Sequence, residues 1–229
     1  MTTESLLTLL QFSDGLFPVG SYAHSFGLES YVQDGRVRDA DGVERFVATH
    51  LECSTAPADA AGALIAWRSS QAGDFPACLR LDAMLDSMKC ASELRDASRQ
   101  MGRQTLRVAS KFANQSLVTR LLREVEAESS PGHHAIAFGI VGNQMGWHER
   151  EVFCAFLYST ASALVHAAIR LFPLGQLAGQ QILFRLLPLI ARLAEEPMAT
   201  DESGIWSFNP SQEIAAMQHA NLEARLFRS

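Results

Sequence analysis

Charge is scarce in this chain. Asp, Glu, Lys and Arg make up 19% of its 229 residues, against roughly 25% in a typical soluble domain. Acidic residues outnumber basic ones, 25 against 19, for a net charge of −6. A protein that held nucleic acid by neutralising phosphates would need the opposite balance, so nucleic acid is excluded as the partner. Cysteine is sparse too. Cys53, Cys78, Cys90 and Cys154 share no repeated spacing, which excludes the disulfide scaffold of small secreted domains. The N-terminal residues Met1 to Ser5 carry an acid where a signal peptide would carry a basic region. Both features place the chain in the reducing cytoplasm, with its thiols acting as small hydrophobes. The G-x-x-x-x-G-K-[ST] phosphate loop, the G-x-S-x-G elbow, H-E-x-x-H and C-x-x-C are all missing. Their absence removes the commonest signatures of nucleotide, hydrolase and zinc chemistry.

Apolar residues are plentiful, at 48%. Disorder is thereby excluded, and a chain of this length buries roughly 70% or more of its unfolded surface. Little charge and much apolar content leave two outcomes, an unusually large core or apolar surface kept for partners. The second outcome carries an expectation of limited solubility for the chain alone. Between Glu151 and Arg170 run 18 residues without a formal charge, close to the roughly 20 that cross a bilayer. Ser159, Thr160, Ser162 and His166 interrupt that run and Pro173 follows it. We read it as a helix buried on nearly all sides, and expect no membrane partner.

Apolar positions recur at three and four residues, and period-2 alternation is hard to find, which predicts an all-α fold. Helices are expected over 4–12, 22–34, 40–53, 57–71, 74–86, 89–110, 112–128, 133–146, 149–171, 174–194 and 210–223, a bundle of about ten in one domain spanning 1–229. Turn chemistry separates them, as at Asp14-Gly15, Asp34-Gly35, Gly73-Asp74 and Pro131-Gly132. Asn209 followed by Pro210 predicts an N-cap and first turn, and 197–208 reads as a loop.

Several patterns admit a structural and a functional reading. Ala135, Gly139, Gly142 and Gly146 line one helical face, as do Ser98, Gly102, Thr105 and Ala109. Glycine inside a helix costs roughly 1 kcal/mol relative to alanine, so these faces call for a close backbone neighbour. Tight core packing is the first reading, with a ligand groove or dimer seam behind it. Arg95, Arg99, Arg103, Arg107 and Lys111 form a basic stripe spaced by four, read as a solvated face with acidic-partner docking as the alternative. His133 and His134 point about 100° apart on a helix and cannot chelate one ion together, so they mark a helix start. His24, Ser25 and Glu29 could suggest a hydrolase, but neighbours in sequence rarely align base and nucleophile.

The two ends of the chain are distinctive. Phe17-Pro18-Val19-Gly20-Ser21-Tyr22-Ala23-His24-Ser25-Phe26-Gly27-Leu28-Glu29 joins a rigid turn to dense aromatic and polar groups, within a motif spanning 10–30. At the other end Arg225-Leu226-Phe227-Arg228 lies in the tail 220–229. A tail with a Leu-Phe pair between arginines is one that docks, on a partner or on its own core.

These ends resemble those of the urease accessory protein UreF family. The middle agrees in order: Glu93-Leu94-Arg95 with Ser98 and Gly102, Ala137-Phe138-Gly139, Ala155-Phe156-Leu157-Tyr158 and Arg170-Leu171-Phe172-Pro173-Leu174-Gly175-Gln176, then Met217-Gln218-His219. The resemblance implies a cytoplasmic, all-helical chaperone without catalytic activity. It implies a homodimer that joins UreD (UreH in some organisms), recruits the GTPase UreG and delivers nickel to apo-urease. Nickel and GTP would then sit on the GTPase, with no cofactor on this chain. Tyr22 and Arg225 match family positions linked to recruitment of the GTPase. His24, Ser25, Glu29, Leu226, Phe227 and Arg228 join them as partner-binding candidates. The alternative is a helical adaptor unrelated to nickel, which would form no stable complex with UreD and UreG.

Overall fold

Thr2 caps the first helix with its side chain, accepting from the Ser5 amide at 3.1 Å while Ser5 Oγ accepts from the Thr2 amide at 3.0 Å. From this start the computed structural model describes residues 2–112, 117–195 and 201–228. Its α-helices are α1 (Thr3–Ser13), α2 (Leu28–Gln33), α3 (Ala40–His50), α4 (Ala61–Gln71), α5 (Phe75–Met88), α6 (Ser92–Ala109), α7 (Leu117–Glu126), α8 (His134–Gln144), α9 (Glu149–Leu171), α10 (Gln176–Glu195) and α11 (Pro210–His219). Among the described residues there is no β-strand. The fold is all-α, as the periodicity predicts.

Helices α4, α8 and α9 supply the middle of one hydrophobic core. Ile65, Phe138, Ile140, Leu157 and Leu164 are buried there. Aromatic rings tie α1 to this centre. Phe12 packs edge-on against Trp147 at 5.7 Å, and Trp147 lies 5.3 Å from Phe138. The Trp147 indole donates to Thr8 Oγ1 at 3.0 Å, and the Trp67 indole donates to the Trp147 carbonyl at 2.9 Å. Each buried N–H thus has its acceptor.

The glycine faces are packing faces. A Cβ on Gly139 would lie 2.0 Å from the Ala63 carbonyl oxygen of α4, and one on Gly102 would lie 2.0 Å from the Gly132 carbonyl oxygen. Gly146 differs: it ends α8 with φ +72° and has open space where a Cβ would go.

Three expected boundaries are corrected. A helix over 22–34 does not form: a single 3₁₀ turn at Ser21–Ala23 is followed by a bend, and α2 begins only at Leu28. Phe26 at φ +52° and Gly27 at φ +85° impose the bend, a left-handed conformation costly for phenylalanine and natural for glycine. Gly27 is also required for space, because a Cβ there would stand 3.1 Å from the Gln212 carbonyl oxygen of α11. The break expected at 54–56 is absent as well. The chain runs helically from Ala40 to Gln71 through a wide π segment, Leu51–Ala60, that contains Pro57. Proline has no N–H to offer the carbonyl four residues back, and a π turn accommodates the mismatch. The freed Cys53 carbonyl accepts from the Phe208 amide at 2.9 Å, and the Pro57 carbonyl accepts from Trp206 at 3.1 Å. The last helix also stops early, at His219 rather than 223.

Of the expected loop 197–208, residues 197–200 lie outside the described residues, 202–204 make a 3₁₀ turn, and 205–208 are held along the π segment. The expected helix over 112–128 is α7, shorter at its start, with 113–116 outside the described residues. Asn209 does precede Pro210, but its side chain makes no cap. Its amide instead donates to Gln212 Oε1 at 2.6 Å.

Two helices, α9 and α10, are long and apolar enough to cross a membrane. In α9, 56% of the most apolar 18-residue window is buried in the fold, less complete than a helix buried on nearly all sides, whereas α10 leaves Leu177 and Phe184 each 74% exposed.

Candidate functional site

The bend at Phe26-Gly27 turns the first residues of α2 toward the last turn of α11. Ser30 Oγ donates to the Ala215 carbonyl at 2.9 Å across this crossing. The segment after α11 then comes back over α2. Gln33 Nε2 donates to the Ala224 carbonyl at 3.0 Å, and the Arg228 amide donates to the Ala23 carbonyl at 2.8 Å. The two distinctive ends of the sequence therefore form one site.

Glu29 stands at its centre and is 2% exposed. Its Oε1 accepts from the Leu226 amide at 2.7 Å, and its Oε2 accepts from the Phe227 amide at 3.1 Å and faces His219 Nε2 at 2.9 Å. His219 Nδ1 in turn lies 2.7 Å from Glu93 Oε2, at the start of α6. Glu93 Oε1 accepts from Arg225 NH1 at 3.1 Å. The His219 ring thus bridges the two carboxylates, one at each nitrogen.

Beside this network the Arg170 guanidinium lies between two rings, 3.7 Å from the centre of Tyr22 and 4.2 Å from that of Phe227. It also donates to the Tyr22 carbonyl at 2.5 Å. Cation–π contacts of this kind contribute about 0.5–2 kcal/mol each, and here they bind α9, the N-terminal turn and the tail together.

The eight candidate residues divide by exposure. Tyr22, Arg225, Leu226 and Arg228 lie on the surface, whereas His24, Ser25, Glu29 and Phe227 are buried. Tyr22 and Arg225 are joined through the tail, Tyr22 by way of Arg170 and Phe227, Arg225 by way of Glu93. Ser25 Oγ accepts from the Glu29 amide at 3.4 Å as the first turn of α2 forms. Glu29 turns its oxygens to the tail and His219, so the hydrolase arrangement of His24, Ser25 and Glu29 is not assembled. Three residues of the site, Glu93, Arg170 and His219, were not singled out as site residues from sequence. A lone histidine at a helix end carries no local signal of the two carboxylates it will meet.

Other patterns resolve into structure. His133 precedes α8, its Nε2 lying 2.8 Å from Asp86 Oδ1, while the amides of Gly132 and His133 donate to the buried carboxylate of Asp82 at 2.7 and 2.8 Å. His134 Nδ1 pairs with Thr105 Oγ1 at 3.1 Å. Among the described residues no group of three or more His, Cys, Asp or Glu is placed to hold a metal ion. Two of the five cations of the basic stripe, Arg99 and Arg107, face carboxylates, and a third, Arg95, is held by a backbone carbonyl. Arg99 makes a two-pronged pair with Asp86 at 2.8 Å, Arg107 lies 3.9 Å from Glu126, and Arg95 donates to the Lys89 carbonyl at 2.9 Å.

One buried and one half-buried imidazole give the fold an acid limit. Burial, with the Arg228 charge adding to it, pushes the His24 pKa down from 6.5 to about 4. Burial likewise lowers His134 to about 4, against a smaller opposing pull from Asp59. A histidine kept neutral in the fold and free to protonate when unfolded stabilises the fold above the unfolded value and withdraws that contribution as pH falls. The thermal midpoint is therefore expected to be flat above about pH 7 and to fall between about pH 6.5 and 4, each imidazole contributing on the order of 3 kcal/mol over that window. A midpoint that rises or stays level on acidification to pH 4 would contradict this assignment.

The sequence has counterparts over nearly its whole length. Residues 37–187 match the family model UreF. A urease accessory protein UreF of Bacillus sp. (strain TB-90) is 28% identical over 224 residues, covering 98% of this chain and 99% of the relative. One from Trichodesmium erythraeum is 33% identical over 223 residues, covering 96% and 95%. One from Actinobacillus pleuropneumoniae serotype 5b is 30% identical over 221 residues, covering 96% and 97%. With the family model spanning well over half of its length and relatives matching from end to end, the chain belongs to the UreF family of urease accessory proteins.

Proposed function

We propose that this chain is a cytoplasmic scaffold, without catalytic activity of its own, in the assembly that delivers nickel to apo-urease. In this reading it joins UreD (or UreH), and the pair recruits the GTPase UreG, which carries nickel and GTP. The observation that carries the reading is the end-to-end similarity to urease accessory proteins, covering 95–99% of the relatives' length. The site adds physical support: it presents an arginine fork and an exposed leucine on a docked tail, two side chains suited to an interface. Co-expression with UreD and UreG tests it. Recovery of a stable three-protein complex supports the scaffold, and a chain that purifies alone in their presence overturns it.

The homodimer belongs to the same proposal. Helices α1, α9 and α10 border an open groove of about 780 Å³, lined by Leu9, Leu10, Tyr158, Leu183, Leu187 and Ile190. Leu10 and Leu187 are 58% and 41% exposed in it, and Leu7 on α1 and Phe184 on α10 are 61% and 74% exposed, an apolar surface suited to a partner. A second copy of the chain, bringing the same apolar face, would cover it. Leu187→Asp is expected to convert the dimer to monomer with little loss of helicity, as read by light scattering and circular dichroism. A Leu187→Asp chain that remains dimeric would place the interface elsewhere.

A further inference from the structure

Chain termini fray, because few contacts offset the entropy of ordering them. The segment after α11 is ordered by a group far from it in sequence. Two consecutive amides, Leu226 and Phe227, fall on the single carboxylate of Glu29 at 2.7 and 3.1 Å. That carboxylate is almost entirely shielded from water, so its charge is balanced by those N–H groups and by His219. His219 is itself fully buried and spans from Glu29 to Glu93, whose second oxygen holds Arg225. The three side chains come from α2, α6 and α11, and none reaches the outer surface of the tail. Arg225 and Leu226 do.

We propose that Glu29, His219 and Glu93 form a buried relay that positions the C-terminal tail, and so sets where Arg225 and Leu226 stand for an incoming protein partner. The inference rests on the scaffold reading for the partner, and on the geometry alone for the tail. Removing one member leaves a buried charge uncompensated, a larger perturbation than the loss of any surface ion pair. The relay residues are positioning residues. Contact with the partner belongs to the tail.

The test uses the full-length chain, with amide hydrogen exchange at Leu226 and Phe227 and, separately, capture of UreG in the presence of UreD. Glu29→Gln keeps the volume but replaces one acceptor by an NH2 donor. It is expected to speed exchange at both amides by at least about tenfold, with α8 and α9 amides unchanged, and to weaken capture in parallel. Glu93 is the least buried of the three, so Glu93→Gln serves as the second variant if Glu29→Gln does not fold, with the same direction expected. Arg225→Ala should separate the two roles: the amides stay protected while capture is lost. Unchanged protection at Leu226 and Phe227 in folded Glu29→Gln or Glu93→Gln would overturn the relay. Lost protection with normal capture would overturn its role in recognition. A wild-type chain with protected amides that captures no GTPase would support the relay and overturn the scaffold reading.

Discussion

On the scaffold reading, Arg225→Ala is expected to weaken recruitment of the GTPase about thirtyfold or more while leaving the helical core intact. The side chain makes one half-exposed ion pair, with Glu93 at 3.1 Å. Exposed pairs of this kind contribute about 0–1 kcal/mol to stability, so the variant should melt within a few degrees of the wild type. The tail itself is held by backbone amides on Glu29 and by Phe227 under Arg170, none of which depends on the Arg225 side chain. What is lost is a planar donor fork presented to solvent. When such a group anchors an interface its removal costs about 2 kcal/mol or more, about thirtyfold in affinity. Arg225→Lys keeps the charge but not the fork, and should fall between the two. The measurement is retention of UreG by immobilised UreD complex. Retention at the wild-type level by Arg225→Ala would remove this residue from the interface.

A second large effect is expected deep in the fold. Gly139→Ala should destabilise the chain by about 3 kcal/mol or more, a large share of the roughly 5–15 kcal/mol that holds a domain together. The added methyl would stand 2.0 Å from the Ala63 carbonyl oxygen and 2.9 Å from its carbon. Both are backbone atoms of α4, which cannot swing aside as a flexible side chain does. The α4–α8 pair must therefore separate, and the hydrophobic contacts around Phe138 and Ala63 loosen with it. Gly175→Ala is the matched control, since nothing lies within 4 Å of its added Cβ and its backbone is not in the left-handed region. Denaturant unfolding should place Gly175→Ala within about 0.5 kcal/mol of the wild type. A Gly139→Ala chain with an unshifted midpoint would mean that the helices do not cross at this residue.

Much of the molecule was legible before any coordinates. Apolar spacing reports a helix through its own 3.6-residue period, so α9 could be read end to end from the uncharged run and its flanking glutamates. The glycine faces on α6 and α8 could be read as sites of close approach, because glycine in a helix is a standing cost that something must offset. The tail could be read as one that docks, because Leu226 and Phe227 sit oddly at a free end. Less could be read where one residue does two jobs. Pro57 reads as the first residue of a new helix, yet a π turn and two amides from 206 and 208 carry one continuous helix through it. Gly27 reads as a helix residue, yet it serves a left-handed bend.

From the sequence alone came the all-helical class, the absence of phosphate-loop and zinc motifs, and a family resemblance carried by short motifs in order along nearly the whole chain. Only the tertiary structure decided that those ends form one site. Glu29 and Leu226 lie 197 residues apart and Glu29 and His219 lie 190 apart, so no local period or spacing connects them. The low charge count takes on a particular meaning as well. Of the few charges present, Glu29, Glu93 and Arg225 are gathered with His219 around the tail, where burial makes Glu29 worth more than it would be on an open surface.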